Sequence, residues 1–226
     1  RMRQPIRKDK TMQKLLYIEA SPRKDRSHSI KVAQSFLQTI TRNHPDVKVD
    51  TLDLWNLDLP EFDNETINAK YSVLSGQNPE GEEQQAWNRV VETAKQFSDA
   101  DFYLFSVPMW NFGIPYKLKH YIDVVTQPGL TFTFSPDSGY SGLIKDRPAI
   151  VIYSSGGEYG EGSGVEFMDF QQSYMETWLK FIGFDQIQKF DVPRTVYGPD
   201  AAAASENAAI EKAVEFARSL TTAVAD

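Results

Sequence analysis

Short, nearly continuous apolar runs recur along this chain, and each is followed by a segment whose apolar residues return every three or four positions. The strongest runs are residues 14–20 (KLLYIEA), 101–108 (DFYLFSVP) and 147–154 (RPAIVIYS). Each reads as a strand buried on both faces, as in a parallel sheet covered by helices. Residues 47–54 alternate apolar and polar, like a less buried strand, and residues 186–192 read as a final one. The helical segments are marked by Ile30, Ala33, Leu37 and Ile40, by Trp87, Val90, Val91, Ala94 and Phe97, by Leu118, Tyr121, Ile122 and Val125, and by Phe170, Tyr174, Trp178 and Phe181. A last helix is expected over 201–224 with Ile210, Val214, Ala217 and Leu220 inward. Pro115 suits a helix first turn and Gly183 a helix end. This alternation predicts right-handed βαβ units in an α/β fold: a doubly wound, five-stranded parallel sheet with helices on both faces. Residues 130–134 alternate cleanly before Asp137, Gly139 and Gly142, which predicts a β-hairpin insertion. Residues 56–81 read as irregular, with a short helix near 66–74. No linker divides the chain, so one domain is expected over 14–226, preceded by a basic, flexible tail at 1–13.

Composition removes several classes of chemistry. The 226 residues carry 24 Lys+Arg against 31 Asp+Glu, a net charge of −7, which argues against nucleic acid as the main partner. With no cysteine, the chain has no disulfides, thiolate catalysis, cysteine-based zinc site or iron–sulfur ligation. His28, His44 and His120 are far apart and no HExxH occurs, so no metal is expected. No Gly-x-Ser-x-Gly elbow follows a strand, which weighs against an α/β-hydrolase. No apolar run has the length of a membrane span, and the basic start lacks the apolar region of a secretory signal. A cytoplasmic protein without membrane partners is expected.

In a doubly wound sheet, ligands bind beyond the carboxyl ends of the strands, at the switch in strand order. Three loops are then decisive. The loop at 21–29 contains no glycine, and the first glycine of the chain is Gly76, so neither a dinucleotide fingerprint nor a Walker loop follows the first strand. It offers instead Ser21, Ser27 and Ser29 at a helix start, with Arg23, Lys24 and Arg26 nearby. Either these hydroxyls cap the helix or, with its free N–H groups, they cradle one terminal phosphate. The second loop holds Met109, Trp110, Asn111 and Phe112 directly after a buried strand. These aromatics either fold back onto the core or cover a flat ring, whose edge the N–H groups of Asn111 and Phe112 could meet. The third opens Ser154-Ser155-Gly156-Gly157, where adjacent glycines permit close backbone approach to a carbonyl edge or simply make a flexible link. A phosphate at loop one and a flat ring between loops two and three together describe a mononucleotide flavin.

These residues resemble the FMN-dependent NADH-azoreductase and quinone reductase family of the flavodoxin-like superfamily. The resemblance runs from about residue 14 to the C-terminus. It is most specific in the Ser21…Ser27-x-Ser29 loop, the VPMWNFGIPYKLKHYID segment, the GLTF hairpin and the strand leading to Ser154-x-Gly156-Gly157. It implies strand order 2-1-3-4-5. It also implies that Ser21, Ser27, His28 and Ser29 bind phosphate and ribityl, that Met109, Trp110, Asn111 and Phe112 clamp the isoalloxazine, and that Ser154, Ser155, Gly156 and Gly157 meet its pyrimidine edge. Some family members carry Gln in place of His28 and Arg in place of Ser155. The implied activity is ping-pong, two-electron hydride transfer from NADH or NADPH through flavin N5 to a quinone or aromatic azo acceptor. No side-chain acid or base is obligatory. Asn111, Gly156 and Gly157 would support the reduced flavin. A homodimer with active sites at its interface is likewise implied. Phe132, Tyr140, Tyr159 and Phe170 are candidates for the substrate slot. The rival readings are a flavin enzyme with a nitroaromatic or free-flavin acceptor, a flavodoxin-type electron carrier, and a non-catalytic binding module.

Overall fold

The computed structural model describes residues 13–221. The expected tail thus lies, apart from Gln13, outside the described residues. Gln13 itself belongs to the sheet edge: its carbonyl accepts from the Lys48 N–H at 2.7 Å, and its own N–H donates to the Asp101 carboxylate at 3.1 Å.

Five strands, β1 (Lys14–Glu19), β2 (Lys48–Asp53), β3 (Phe102–Pro108), β6 (Pro148–Ser154) and β7 (Gln186–Val192), form one parallel sheet in the order β2-β1-β3-β6-β7. Counting only these strands, the order is the expected 2-1-3-4-5. Between β3 and β6, the strands β4 (Phe132–Ser135) and β5 (Gly139–Gly142) make the expected antiparallel hairpin. The helices are α1 (His28–Asn43), α2 (Asn64–Leu74), α3 (Gly81–Ser98), α4 (Tyr116–Val125), α5 (Phe170–Ile182) and α6 (Pro199–Thr221). No helix among the described residues is long and apolar enough to cross a membrane.

The sheet has this form because its central strands are apolar at nearly every position while their side chains alternate between two faces. Leu16, Ile18, Tyr103, Phe105, Val107, Val151 and Tyr153 point to one face, where Phe97 of α3, Leu118 and Tyr121 of α4, and Trp178 and Leu179 of α5 cover them. Leu15, Tyr17, Phe102, Leu104, Ile150 and Ile152 point to the other, under Val32, Ala33 and Phe36 of α1 and Ala209, Ala213 and Ala217 of α6. Each large side chain buried in this way stabilises the fold by about 1.5–3 kcal/mol. The α6 face differs from expectation. Ala209, Ala213, Ala217 and Leu220 are buried, whereas Ile210 and Val214 are only half-buried. Small residues four apart let α6 lie close along α1, which a hydropathy pattern cannot anticipate.

Two glycines mark close contact at the amino ends of the strands. Gly183 ends α5 in the left-handed region at φ 117°, as expected. Gly142 of β5 lies directly against it: a Cβ there would collide with the backbone of Ile182 and Gly183. The hairpin is therefore seated where α5 ends and β7 begins, away from the carboxyl ends of the strands.

Candidate functional site

The sheet strands end in step, with Glu19 opposite Ser106, Pro108 opposite Ser154, and Ser154 opposite Val192. Because the chain leaves β1 to build β2 on one side and returns to β3 on the other, the strand order reverses between β1 and β3. The three loops singled out in the sequence all leave this one rim.

In the first loop, Ser21, Ser27 and Ser29 are all buried. Ser21 Oγ accepts from the Arg23 N–H at 3.3 Å, and the Ser27 and Ser29 hydroxyls lie 3.3 Å apart. Ser27 occupies the N-cap position of α1, yet its side chain makes no capping bond. Of the two readings of Ser27, capping is not the one its side chain adopts: its hydroxyl pairs with Ser29, leaving the first-turn N–H groups of a 16-residue helix without a side-chain cap. Hydroxyls beside the positive end of a helix form a donor set suited to an anion. His28 is partly committed elsewhere, since its Nδ1 is 2.6 Å from Glu206 of α6, leaving Nε2 as the nitrogen for a ligand. Lys24 is also committed. Its Nζ lies 2.5 Å from Glu19 Oε1 and 2.5 Å from Asp53 Oδ2, so it serves the strand ends rather than adding charge to a phosphate cradle.

The second loop is a two-residue turn. The Trp110 N–H donates to the Gly113 carbonyl at 2.9 Å, and the Gly113 N–H to the Trp110 carbonyl at 3.0 Å. The central residues Asn111 and Phe112 both have positive φ, 48° and 71°. The closing bonds leave the N–H groups of these two residues outside the turn. Phe at positive φ costs about 1–3 kcal/mol. The aromatics do not fold back onto the core: Trp110 is 36% and Phe112 39% exposed. Trp110 packs against Trp55 at 5.5 Å and Tyr116 at 6.2 Å, and Phe112 meets Tyr159 of the third loop edge-on at 6.2 Å. The Met109 N–H donates to the Ser154 carbonyl at 2.7 Å, tying loop two to loop three.

In the third loop, Ser155 Oγ donates to the Gly157 carbonyl at 2.9 Å. The segment after β7 then laces alongside: the Arg194 N–H donates to the Gly157 carbonyl at 3.1 Å, and the Thr195 N–H to the Ser155 carbonyl at 3.2 Å. The glycines have a local reason. A Cβ at Gly156 would sit 3.3 Å from Val196, and one at Gly157 would sit 3.1 Å from the Tyr159 ring. This stretch is a braced turn rather than a flexible link.

Of the slot candidates, Tyr159 and Phe170 lie at the rim, Phe170 opening α5 with 62% of its surface exposed. Phe132 and Tyr140 do not line a slot there within the chain. Their rings pack on Phe181 near the end of α5, at 5.0 and 5.5 Å, which places them at the other end of the sheet. The cause is topological: α4 starts at the rim and runs away from it, so whatever follows α4 lies far from the rim. Sequence reasoning missed Trp55, whose Nε1 donates to the Ala20 carbonyl at 3.0 Å, and Tyr116, 5.4 Å from it. It also missed Arg194 and Thr195. Trp55, Arg194 and Thr195 stand within three residues of the carboxyl end of a sheet strand, and Tyr116 opens the helix that leaves the rim; those positions were the available signal.

The chain is similar to known proteins over most of its length. A family model described as flavodoxin-like fold matches residues 13–217. An FMN-dependent NADH:quinone oxidoreductase of Desulfotalea psychrophila is 52% identical over 185 residues, 82% of this chain and 87% of the relative. FMN-dependent NADH:quinone oxidoreductase 3 of Pseudomonas fluorescens is 43% identical over 92% of this chain and 98% of its own length. An FMN-dependent NADH-azoreductase of Bacillus anthracis, solved in complex with FMN, superposes with a TM-score of 0.80 at 28% identity, covering 91% of this chain and 100% of that one.

Proposed function

Since this chain belongs to the flavodoxin-like-fold family, whose model spans nearly all of its described residues, we propose that its rim holds FMN and that the protein reduces quinones and aromatic azo compounds with NADH or NADPH. The observation that carries this reading is the convergence of three loops at one switch point, with an uncapped helix N-terminus beside Ser21, Ser27 and Ser29. That donor set fits the phosphate of a mononucleotide. When bound, FMN would supply the two-electron hydride chemistry that links a nicotinamide donor to the acceptor.

The chain's own residues do the rest. Ser21, Ser27, Ser29 and the α1 N–H groups hold the phosphate, with His28 presenting Nε2 at the same corner. Met109, Trp110, Asn111 and Phe112 clamp the ring, and the strained turn at 111–112 presents backbone donors without further rearrangement. Ser154, Ser155, Gly156 and Gly157 face its pyrimidine edge, held in shape by the Thr195 and Arg194 bonds. Tyr159 and Phe170, with Trp55 and Tyr116 across the rim, give donor and acceptor one aromatic slot, so the two substrates bind in turn. No side-chain acid or base is required. A homodimer is part of the proposal: Phe134 and Tyr140 on the hairpin are 59% and 64% exposed, an aromatic surface that a second copy would cover.

The test is direct. Protein supplied with FMN should oxidise NADH steadily when a 1,4-naphthoquinone is present, with parallel lines at varied NADH. A flavodoxin-type carrier would show flavin binding without such turnover, and intersecting lines would refute the shared slot.

A further inference from the structure

Loop one must turn sharply between β1 and α1 without a single glycine. It does so by placing Lys24 at φ 50°, a left-handed conformation that a lysine adopts only when the surroundings enforce it. The enforcement is visible. Lys24 Nζ lies 2.5 Å from Glu19 at the end of β1 and 2.5 Å from Asp53 at the end of β2. Asp53 is itself tethered, since its carboxylate accepts the Trp55 N–H at 3.2 Å and the Asn56 amide at 2.5 Å. Glu19 is nearly buried, with Tyr17 Oη 3.5 Å from its carboxylate and 3.0 Å from Ser106 Oγ. At the other end of the residue, the Lys24 carbonyl accepts the Ser27 N–H at 2.8 Å. One residue therefore joins the ends of two strands to the serine that starts α1.

We infer that Lys24 is a positioning residue for the phosphate end of the cofactor: by clamping Glu19 and Asp53 it holds the loop in the shape that presents Ser27, Ser29 and the α1 N–H groups. The inference rests on the FMN reading above and deepens it. Lys24 does not act as a counter-charge, because two carboxylates already surround its ammonium and the trio carries a net negative charge. Its contribution is geometric, and it also keeps two otherwise uncompensated carboxylates from facing a phosphate. Arg23 and Arg26 lie on the exposed side of the same turn.

The test compares FMN with riboflavin, which lacks the phosphate, by quenching of flavin fluorescence in apoprotein. Lys24→Met should weaken FMN binding by about tenfold, corresponding to about 1.4 kcal/mol, and leave riboflavin binding unchanged. Amide hydrogen exchange over residues 23–29 of the apoprotein should accelerate. Asp53→Asn should weaken FMN in the same sense, and Lys24→Arg should restore part of the preference for FMN, since a guanidinium can bridge both carboxylates. Retention of the preference by Lys24→Met overturns the inference, as does an equal loss for riboflavin, which marks general destabilisation. Tighter FMN binding by Asp53→Asn overturns it too, since Lys24 would then be a direct phosphate ligand. If the parent protein itself does not prefer FMN, the cofactor reading falls, and the inference with it.

Discussion

Alanine at Gly157 is the most informative single perturbation of the third loop. Its Cβ would stand 3.1 Å from Cε2, Cζ and Oη of Tyr159, whereas carbon atoms rest comfortably at about 3.5–4.0 Å. The ring must therefore withdraw by roughly half an ångström. Tyr159 is half-buried, so it can pivot toward solvent, and the fold should lose little stability. The site has less latitude. The same ring supports Phe112 edge-on at 6.2 Å, and Phe112 belongs to the proposed clamp. A displacement of 1 Å in an active site costs about a hundredfold in rate, so half that shift should lower kcat/KM for NADH–quinone turnover by about tenfold. Gly160→Ala is the control, since its Cβ would meet nothing within 4 Å. The assay is steady-state turnover of both variants beside their melting curves. Equal kcat/KM for the two variants, or a loss at Gly157 that tracks a fall in melting temperature, would refute the argument.

Gly142→Ala should act on stability instead. Its Cβ has no space against the backbone of Ile182 and Gly183, and the overpacking should cost about 2 kcal/mol, a fall of about 4–8 °C in Tm by calorimetry. The charged trio at loop one should register in acid. Burial alone would raise the Asp53 carboxyl, but the hydrogen bond from Lys24, those from Trp55 and Asn56, and the Lys24 charge outweigh it and hold it below its ordinary 3.8. A carboxyl lowered in the folded state contributes stability above its unfolded pKa and loses it as pH falls through the folded value. In urea unfolding of the apoprotein, the advantage of the parent over Asp53→Asn should be constant well above pH 3.8 and vanish below it.

Much of this architecture is written into local pattern. The runs at 14–20, 101–108 and 147–154 are apolar at nearly every position, so their burial in a parallel sheet follows without knowledge of any contact, and the rim loops follow from the strand ends. The discrepancies share a different cause. Whether the Ser27 hydroxyl caps a helix or joins Ser29 depends on a rotamer choice that spacing does not encode. Lys24 reads locally as part of a basic cluster, while the groups that claim it are Glu19 and Asp53, the latter on another strand. The α6 face depends on alanines at 209, 213 and 217, whose small size matters for approach to α1 and is invisible to hydropathy. The packing of Phe132 and Tyr140 on Phe181 within the chain was legible from topology, since a helix that begins at the rim must finish at the opposite end.

The turn at Asn111–Phe112 carries a further consequence. A bulky aromatic held at φ 71° is a conformation the polypeptide would relinquish if nothing opposed it, and glycine at that position would adopt it without resistance. A lineage selected only for thermal robustness would therefore tend to relax this corner, since most routes to greater stability erode strained working geometry. Persistence of such a residue among variants evolved at high temperature would show that this corner is under selection for chemistry and not for folding.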